Sequence, residues 1–220
     1  MSPWVKICGN TSLADAQLAA NAGADAVGFV FAPSPRRVTP EQVAAITPHL
    51  PTSIEKIGVF VDADFETIAG TVELAGLTGV QLHSGDGEFL SARLRDRFGS
   101  GLRILRVIHF GTDAGRQLEA AKADAHVDAV LVDSRTATAV GGTGIAFDWK
   151  AARASIFSGE SQLKLIAAGG LTPANVADAI AILDPWGVDG VSGVESSPGR
   201  KDADKVREFV LNARPTSQEA

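Results

Sequence analysis

The stretch KLIAAGGLTPANVADAIAILDPWGVDGVSGV, residues 164–194, contains a complete strand–helix–strand unit. An apolar run at 164–170 ends in two glycines, an amphipathic pattern follows from Thr172-Pro173, and a second apolar run occupies 187–194. Threonine before proline is typical of a helix start, because the hydroxyl can cap the helix and proline suits its first turn. Two strands joined by a helix predict a parallel pair with a right-handed crossover.

The same unit repeats along the whole chain. Short β-branched runs alternate with amphipathic helical patterns, which favours a parallel sheet covered by helices. Eight such runs predict an α/β fold of the closed (β/α)8, or TIM barrel, type, with an open doubly wound sheet as the alternative. No linker divides the chain, so we expect one domain over 1–214 and a frayed polar tail at 215–220. The predicted strands are 5–9, 26–31, 56–61, 79–84, 103–110, 128–134, 164–170 and 187–194.

Composition limits the classes of function. The 220 residues carry a formal net charge of −6, which argues against a nucleic-acid partner, since nucleic-acid binders cluster lysine and arginine. The single cysteine excludes an internal disulfide, and neither a secretory signal nor an apolar run of membrane-spanning length is present. We therefore expect a cytoplasmic protein that acts on a small molecule, with no membrane partner.

In a barrel of this type the active site lies at the carboxyl ends of the strands. Side chains alternate along a strand, which turns Lys6 and Cys8 towards the barrel axis. The same reasoning turns His83 and Asp133 inward. Each has a structural alternative: Cys8 as a small buried apolar group, His83 as a hydrogen-bonded histidine, Asp133 as a cap for the next loop. Three titratable groups at one mouth favour a catalytic site.

Glycines at the last two strand ends predict an anion site. Gly169 and Gly170 follow the seventh strand, and Ser192 and Gly193 follow the eighth. Backbone N–H groups approach a phosphate closely at such turns, and the loops after strands seven and eight commonly bind phosphate in this fold. The alternative is that these glycines only make tight turns.

Two further loops belong to the predicted mouth. The second strand runs into FAPSPRRV, 31–38, whose prolines would hold Arg36 at the rim, where a guanidinium can bind a carboxylate. A solvated arginine is the alternative. The glycine-rich segment TATAVGGTGIAF, 136–147, follows the sixth strand and is flexible enough to act as a lid.

Seven sequence motifs, in a fixed order along the chain, resemble those of one known family. Together they resemble the phosphoribosylanthranilate isomerase family of tryptophan biosynthesis, and the resemblance covers nearly the whole chain. Barrel architecture alone would not produce this set of motifs. They are KICGNT (6–11), GFVFAPSPRRV (28–38), GVQLHS (79–84), VLVDS (130–134), GGTGIAFDW (141–149), AAGGLTPANV (167–176) and GVSGVESSPG (190–199).

The resemblance implies an Amadori rearrangement of N-(5'-phosphoribosyl)anthranilate to the corresponding 1-deoxyribulose 5-phosphate, with neither metal nor organic cofactor. By the same resemblance Cys8 is the general base, Asp133 the general acid and Arg36 the residue that binds the anthranilate carboxylate. His83 falls in the family's substrate site. The family commonly has two serines where this chain has Val191-Ser192, so the side-chain contacts to phosphate are expected to differ here.

Two other functions stay open at this point. One is a different phosphosugar isomerase or epimerase on the same fold, although Cys8 argues against the relative from histidine synthesis, which ends its first strand with aspartate. The other is a metabolite-binding barrel without catalysis, for which an acid–base pair would have no use. The expected partner is a small phosphorylated substrate, and the expected assembly is a monomer or homodimer.

Overall fold

The computed structural model describes residues 2–83, 87–133, 148–158 and 163–214. Eight parallel strands pair in chain order and close into a barrel, which confirms the predicted fold and excludes the open sheet. Closure places Lys6 opposite Asp189, where the first strand pairs with the last. The strands are β1 (Trp4–Ile7), β2 (Ala26–Val30), β3 (Glu55–Phe60), β4 (Gly79–Leu82), β5 (Arg103–His109), β6 (Ala129–Asp133), β7 (Lys164–Ala168) and β8 (Gly187–Gly190).

Helices surround the barrel. They are α1 (Leu13–Asn21), α2 (Pro40–Ala44), α3 (Phe65–Ala75), α4 (Gly87–Phe98), α5 (Ala114–Ala123), α6 (Trp149–Ser155), α7 (Val176–Leu183) and α8 (Ala203–Ala213). The threonine–proline signal also occurs at Thr39-Pro40, and there it is accurate: Thr39 and Gln42 form a reciprocal capping box with Pro40 in the first turn of α2. At α7 it is not, because the helix begins at Val176 and the Asn175 side chain accepts a hydrogen bond from the Thr172 N–H.

Most strands end earlier than the apolar runs predict. The difference is largest at β8, where the backbone leaves the extended conformation at Val191 (φ −124°, ψ −92°) and Ser192–Val194 form a 3-10 turn. A short antiparallel hairpin then follows, made of β9 (Glu195–Ser197) and β10 (Arg200–Lys201). The sequence patterns do not predict this hairpin, and it returns the chain to the barrel mouth.

The core has two layers. A large layer fills the space between the sheet and the helices, and a smaller one fills the lower barrel interior with Trp4, Ile57, Leu105, Leu131 and Ile166 among its members. Trp4 stacks on Trp186 with ring centroids 5.2 Å apart. Above these apolar groups the barrel interior is polar, with Lys6, Gln81 and Asp189 buried below the carboxyl ends of the strands.

The remaining expectations concern segments or features outside this core. The predicted lid, 136–147, and the predicted tail, 215–220, lie outside the described residues. The boundaries of the predicted domain therefore stay a prediction. In the part of the chain that the structure describes, no helix is long and apolar enough to cross a bilayer.

The capping box of α2 can be tested by substitution. Thr39→Ala removes the hydroxyl that accepts the Gln42 N–H, so we expect the free energy of unfolding to fall by about 1 kcal/mol. Urea unfolding measures this change. Thr52→Ala, at an exposed threonine in a turn, serves as the matched control and should leave the free energy of unfolding nearly unchanged. Equal effects of the two substitutions would contradict the assigned cap.

Candidate active site

Cys8 stands directly after β1, with its thiol buried in the barrel mouth. Its backbone N–H donates to the Gly190 carbonyl of β8 (2.9 Å), and the residue is only 4% exposed. The neighbouring strand leaves room for the sulfur because it carries Gly28 at this level. A Cβ atom there would lie 2.5 Å from Sγ, far inside van der Waals contact. The glycine of the GFVF motif therefore makes the pocket for the thiol.

Lys6 lies two residues earlier on the same inward face and is completely buried. Its Nζ donates to Asp189 Oδ1 on β8 and to Gln81 Oε1 on β4, each at 2.9 Å. A buried ammonium needs such partners, because removing it from water without them is very costly. The three side chains form a polar bridge across the barrel, beneath the mouth.

The charges of this bridge act on the thiol. Burial raises the pKa of Cys8 above its usual value, and the nearby Lys6 ammonium opposes that rise without cancelling it. For Lys6 itself burial lowers the pKa, but the negative charges of Asp189 and a Cys8 thiolate outweigh the burial, and the pKa is raised. Lys6 is therefore a permanent cation beside the only thiol of the chain.

Asp133 and two histidines line other parts of the mouth. Asp133 ends β6 and is 4% exposed, and its backbone pairs in register with His109 at the end of β5. His83 follows β4, and its ring centroid lies 6.3 Å from that of His109. Strands β7 and β8 separate Asp133 from Cys8 around the barrel, so the two groups approach the mouth from different sides. His109 was not among the predicted residues, although its parity and strand-end position match those of Asp133.

Arg36 has a partner within the chain. Its Nε and Nη2 donate to the two carboxylate oxygens of Glu195, at 2.8 and 2.6 Å. Hydrogen bonding to Glu195 raises the pKa of Arg36. Gly9 makes the approach possible: its φ is +76°, and a Cβ atom there would lie 2.6 Å from the Arg36 Cδ. One edge of the guanidinium is thus used internally, and its Nη1 edge has no partner among the described residues.

The hairpin of β9 and β10 supplies two charged residues that the sequence reading missed. Glu195 lies in the motif GVSGVESSPG, whose predicted site residues are Ser192 and Gly193, and no motif includes Lys201. The buried Lys201 ammonium donates to the Cys8 carbonyl oxygen (2.5 Å) and to Glu195 Oε1 (3.2 Å). Burial lowers the Lys201 pKa. Burial alone would raise the Glu195 pKa, but Arg36 and Lys201 outweigh it and the pKa is lowered.

The predicted phosphate residues come together from two loops. Gly169 and Gly170 follow β7 with φ values of +82° and +68°, a conformation that glycine adopts without strain. Gly193 lies in the 3-10 turn after β8, and a Cβ atom on it would lie 2.0 Å from the Leu171 carbonyl oxygen. The two loops are therefore in direct backbone contact, with Ser192 beside that contact. Such an arrangement can present several N–H groups to one anion.

The ionisation of Cys8 can be measured without interference. The chain has one cysteine and no tyrosine, so the ultraviolet absorbance of thiolate reports a single side chain. Because burial raises its pKa, we expect the titration midpoint of Cys8 to lie above about 8.5, the value of an exposed cysteine. The unfolded chain in urea provides the control and should titrate at the ordinary value. A folded midpoint below the unfolded one would show that Lys6 dominates burial.

Comparison with known proteins identifies relatives of the whole barrel. The family described as N-(5'phosphoribosyl)anthranilate (PRA) isomerase matches residues 5–212. The N-(5'-phosphoribosyl)anthranilate isomerase of Geobacter sp. (strain M21) is 44% identical over 97% of this chain and 98% of its own. That of Pelobacter propionicus is 42% identical over 98% of both chains.

Solved structures agree. The phosphoribosyl anthranilate isomerase of Thermotoga maritima superimposes with a TM-score of 0.82 at 35% identity, covering 97% of this chain and 98% of that one. A further isomerase structure, in complex with reduced 1-(o-carboxyphenylamino)-1-deoxyribulose 5-phosphate, gives a TM-score of 0.80 at 34% identity with the same coverage. On the family match and these near full-length relatives, the chain belongs to the N-(5'-phosphoribosyl)anthranilate isomerase family.

Proposed function

We propose that Cys8 is the general base and Asp133 the general acid of this isomerase. The reaction is the Amadori rearrangement of N-(5'-phosphoribosyl)anthranilate to 1-(2-carboxyphenylamino)-1-deoxyribulose 5-phosphate, in tryptophan biosynthesis. The observation that carries the proposal is the placement of a buried thiol beside a buried ammonium, with a carboxyl group at a separate strand end of the same mouth. Family membership decides against the other phosphosugar barrels and against a barrel without catalysis.

The rearrangement needs one proton delivered and one removed. Asp133 gives a proton to the ribose ring oxygen, the bond from that oxygen to C1 breaks, and the anthranilate nitrogen forms a C1=N double bond. Cys8 then removes the proton from C2, and the electron pair moves to give an enolamine. Ketonisation returns a proton to C1 and leaves the carbonyl at C2. Acid and base must act on different atoms of the sugar, which suits groups that approach from different sides of the barrel.

Lys6 supports the proposed base. A thiolate in a buried pocket needs a nearby positive charge, and the Lys6 ammonium, which donates to Asp189 and Gln81, also interacts with the thiol. The cation does not transfer a proton, because its pKa is raised. Its role is to stabilise the negative charge that Cys8 carries before it attacks the C2 proton.

Arg36 is proposed to bind the anthranilate carboxylate. Glu195 holds its Nε edge, so the guanidinium has a fixed plane at the rim and can offer Nη1 to a second carboxylate. The backbone N–H groups around Gly169, Gly170, Ser192 and Gly193 are proposed to bind the phosphate at the other end of the substrate. His83 is proposed to contact the substrate between them.

The assembly and location are further proposals. We infer that the enzyme works in the cytoplasm, because a chain with one cysteine suits a reducing compartment and the reaction belongs to amino-acid biosynthesis. We infer a monomer or a homodimer. The Thermotoga maritima relative is described as dimeric, and sedimentation equilibrium on this chain would distinguish the two states.

Substitution of the proposed acid and base tests the mechanism. Cys8→Ser replaces the thiol by a hydroxyl of much higher pKa, and Asp133→Asn cannot give up a proton. Each change should lower kcat at least ~100-fold, the usual scale for a positioned acid or base, while the thermal midpoint stays near that of the parent protein. Turnover is followed by the fluorescence of the anthranilate group.

Asp96→Asn, at an exposed aspartate of α4, is the matched control and should retain full activity. If Cys8→Ser keeps near-normal turnover, the base is a different residue. If activity survives while stability falls, Cys8 and Asp133 are packing residues, and the proposal fails.

A second test addresses the orientation of Arg36. Glu195→Gln removes the charge that fixes the guanidinium, so we expect KM for the substrate to rise about tenfold with a smaller change in kcat. This corresponds to the loss of about 1.4 kcal/mol of binding free energy. Glu55→Gln is the matched control, because Glu55 also holds an arginine, Arg103, through two hydrogen bonds of 2.6 and 2.9 Å. An unchanged KM in Glu195→Gln would contradict the role given to Arg36.

A further inference from the structure

Gln81 connects the buried ammonium to a histidine of the mouth. Its Oε1 accepts a hydrogen bond from Lys6 Nζ at 2.9 Å, and its Nε2 lies 2.9 Å from His83 Nε2. Gln81 is 4% exposed, so both ends of its amide depend on these protein partners. The contact with Lys6 therefore fixes which end of the Gln81 amide faces His83.

The chemistry of the three groups determines the direction of each hydrogen bond. An ammonium has only donors, so the amide oxygen of Gln81 must face Lys6. The amide NH₂ then faces His83 and can only donate. Imidazole Nε2 must accept, which means that it carries no proton. The proton of a neutral imidazole then lies on Nδ1.

We propose that Gln81 is a positioning residue that holds His83 neutral, with its single proton on Nδ1, so that His83 acts at the mouth as a hydrogen-bond donor and not as a base. The inference rests on the proposed function only in taking His83 as part of the substrate site. The geometry that carries it is the fixed sequence of donors and acceptors from Asp189 through Lys6 and Gln81 to His83.

Two further groups on the described strands lie near His83. A proton on Nε2 would face the Gln81 N–H, with the Lys6 ammonium behind it. From β5 the facing group is the His109 ring, and an imidazole carries no negative charge. Asp133 lies one strand further, in register with His109.

The consequence concerns the choice of base. His83 is one of two histidines at this mouth, beside His109, and could compete with Cys8 for that role, since histidine is the commonest general base. With Nε2 occupied by an N–H donor and Nδ1 already protonated, neither nitrogen has a lone pair available. The bridge therefore removes His83 from the candidates for the base.

Nuclear magnetic resonance tests the tautomer directly. In nitrogen-15 labelled protein near neutral pH, the long-range proton–nitrogen couplings of each imidazole distinguish Nδ1–H, Nε2–H and the doubly protonated ring. We expect the Nδ1–H pattern for His83, whereas free histidine in water prefers Nε2–H. His83→Gln identifies the signal by its loss, and the exposed His49 is the internal reference for the solvent preference. An Nε2–H or doubly protonated His83 overturns the proposal.

Gln81→Glu provides the second measurement. A carboxylate at this position accepts from both Lys6 and His83, so the His83 proton should move to Nε2 or the ring should become doubly protonated. We expect kcat/KM to fall about tenfold, the scale of one hydrogen bond to the ring. An unchanged His83 spectrum in this variant overturns the positioning role.

The two proposals fail in different ways. Activity in Cys8→Ser bears on the general base alone, because that variant leaves Gln81 and His83 intact. The His83 spectrum of the unmodified enzyme bears on the tautomer alone, because it requires no substrate. Agreement of the spectrum with Nδ1–H therefore supports the bridge even if another residue is found to remove the C2 proton.

Discussion

The ion pair between Lys6 and Asp189 is the interaction on which the rest of the site depends. Both side chains are buried, and the pair joins the first strand to the last at the point where the barrel closes. Two buried charges tolerate very little displacement, since removing either partner typically costs about 3–5 kcal/mol. Closure of the sheet therefore brings these two charges together, and their pairing fixes where β1 and β8 meet beneath the mouth.

From this pair the constraints spread in two directions. Upwards along β1, the Lys6 charge acts on the Cys8 thiol, which the absence of a side chain at Gly28 allows to sit inside the barrel. Across the barrel, Lys6 donates to the amide oxygen of Gln81, and this turns the amide NH₂ of Gln81 towards His83 as a hydrogen-bond donor. One buried cation thus influences both the ionisation of the base and the proton position on a neighbouring ring. The site is an electrostatic unit, although its members come from β1, β4 and β8.

The sequence predicts the features that depend on residues close together in the chain. Alternation within strands correctly turned Lys6 inward, and the repeated strand–helix pattern correctly predicted the closed barrel. It is uninformative where contacts join distant segments: Gln81 is 75 residues from Lys6, and Glu195 is 159 residues from Arg36. The pattern of one sequence does not show which distant residues pair, because these contacts form only when the barrel closes. The hairpin after β8 is not predicted for another reason. The apolar run of the eighth strand continues to residue 194 in the sequence, whereas the backbone turns at Val191.

The hairpin of β9 and β10 also has a bearing on how the enzyme is made. Lys201 holds the carbonyl of Cys8 across 193 positions of sequence, and Glu195 holds Arg36. The ribosome synthesises Cys8 long before Lys201, the residue that holds the Cys8 carbonyl. During synthesis all eight barrel strands are made before the chain contains Glu195 and Lys201. Contacts of such long range also slow folding, because loop closure precedes the gain from contact. A chain that ends before β9 therefore lacks both groups that hold the Cys8 carbonyl and the Arg36 guanidinium in place.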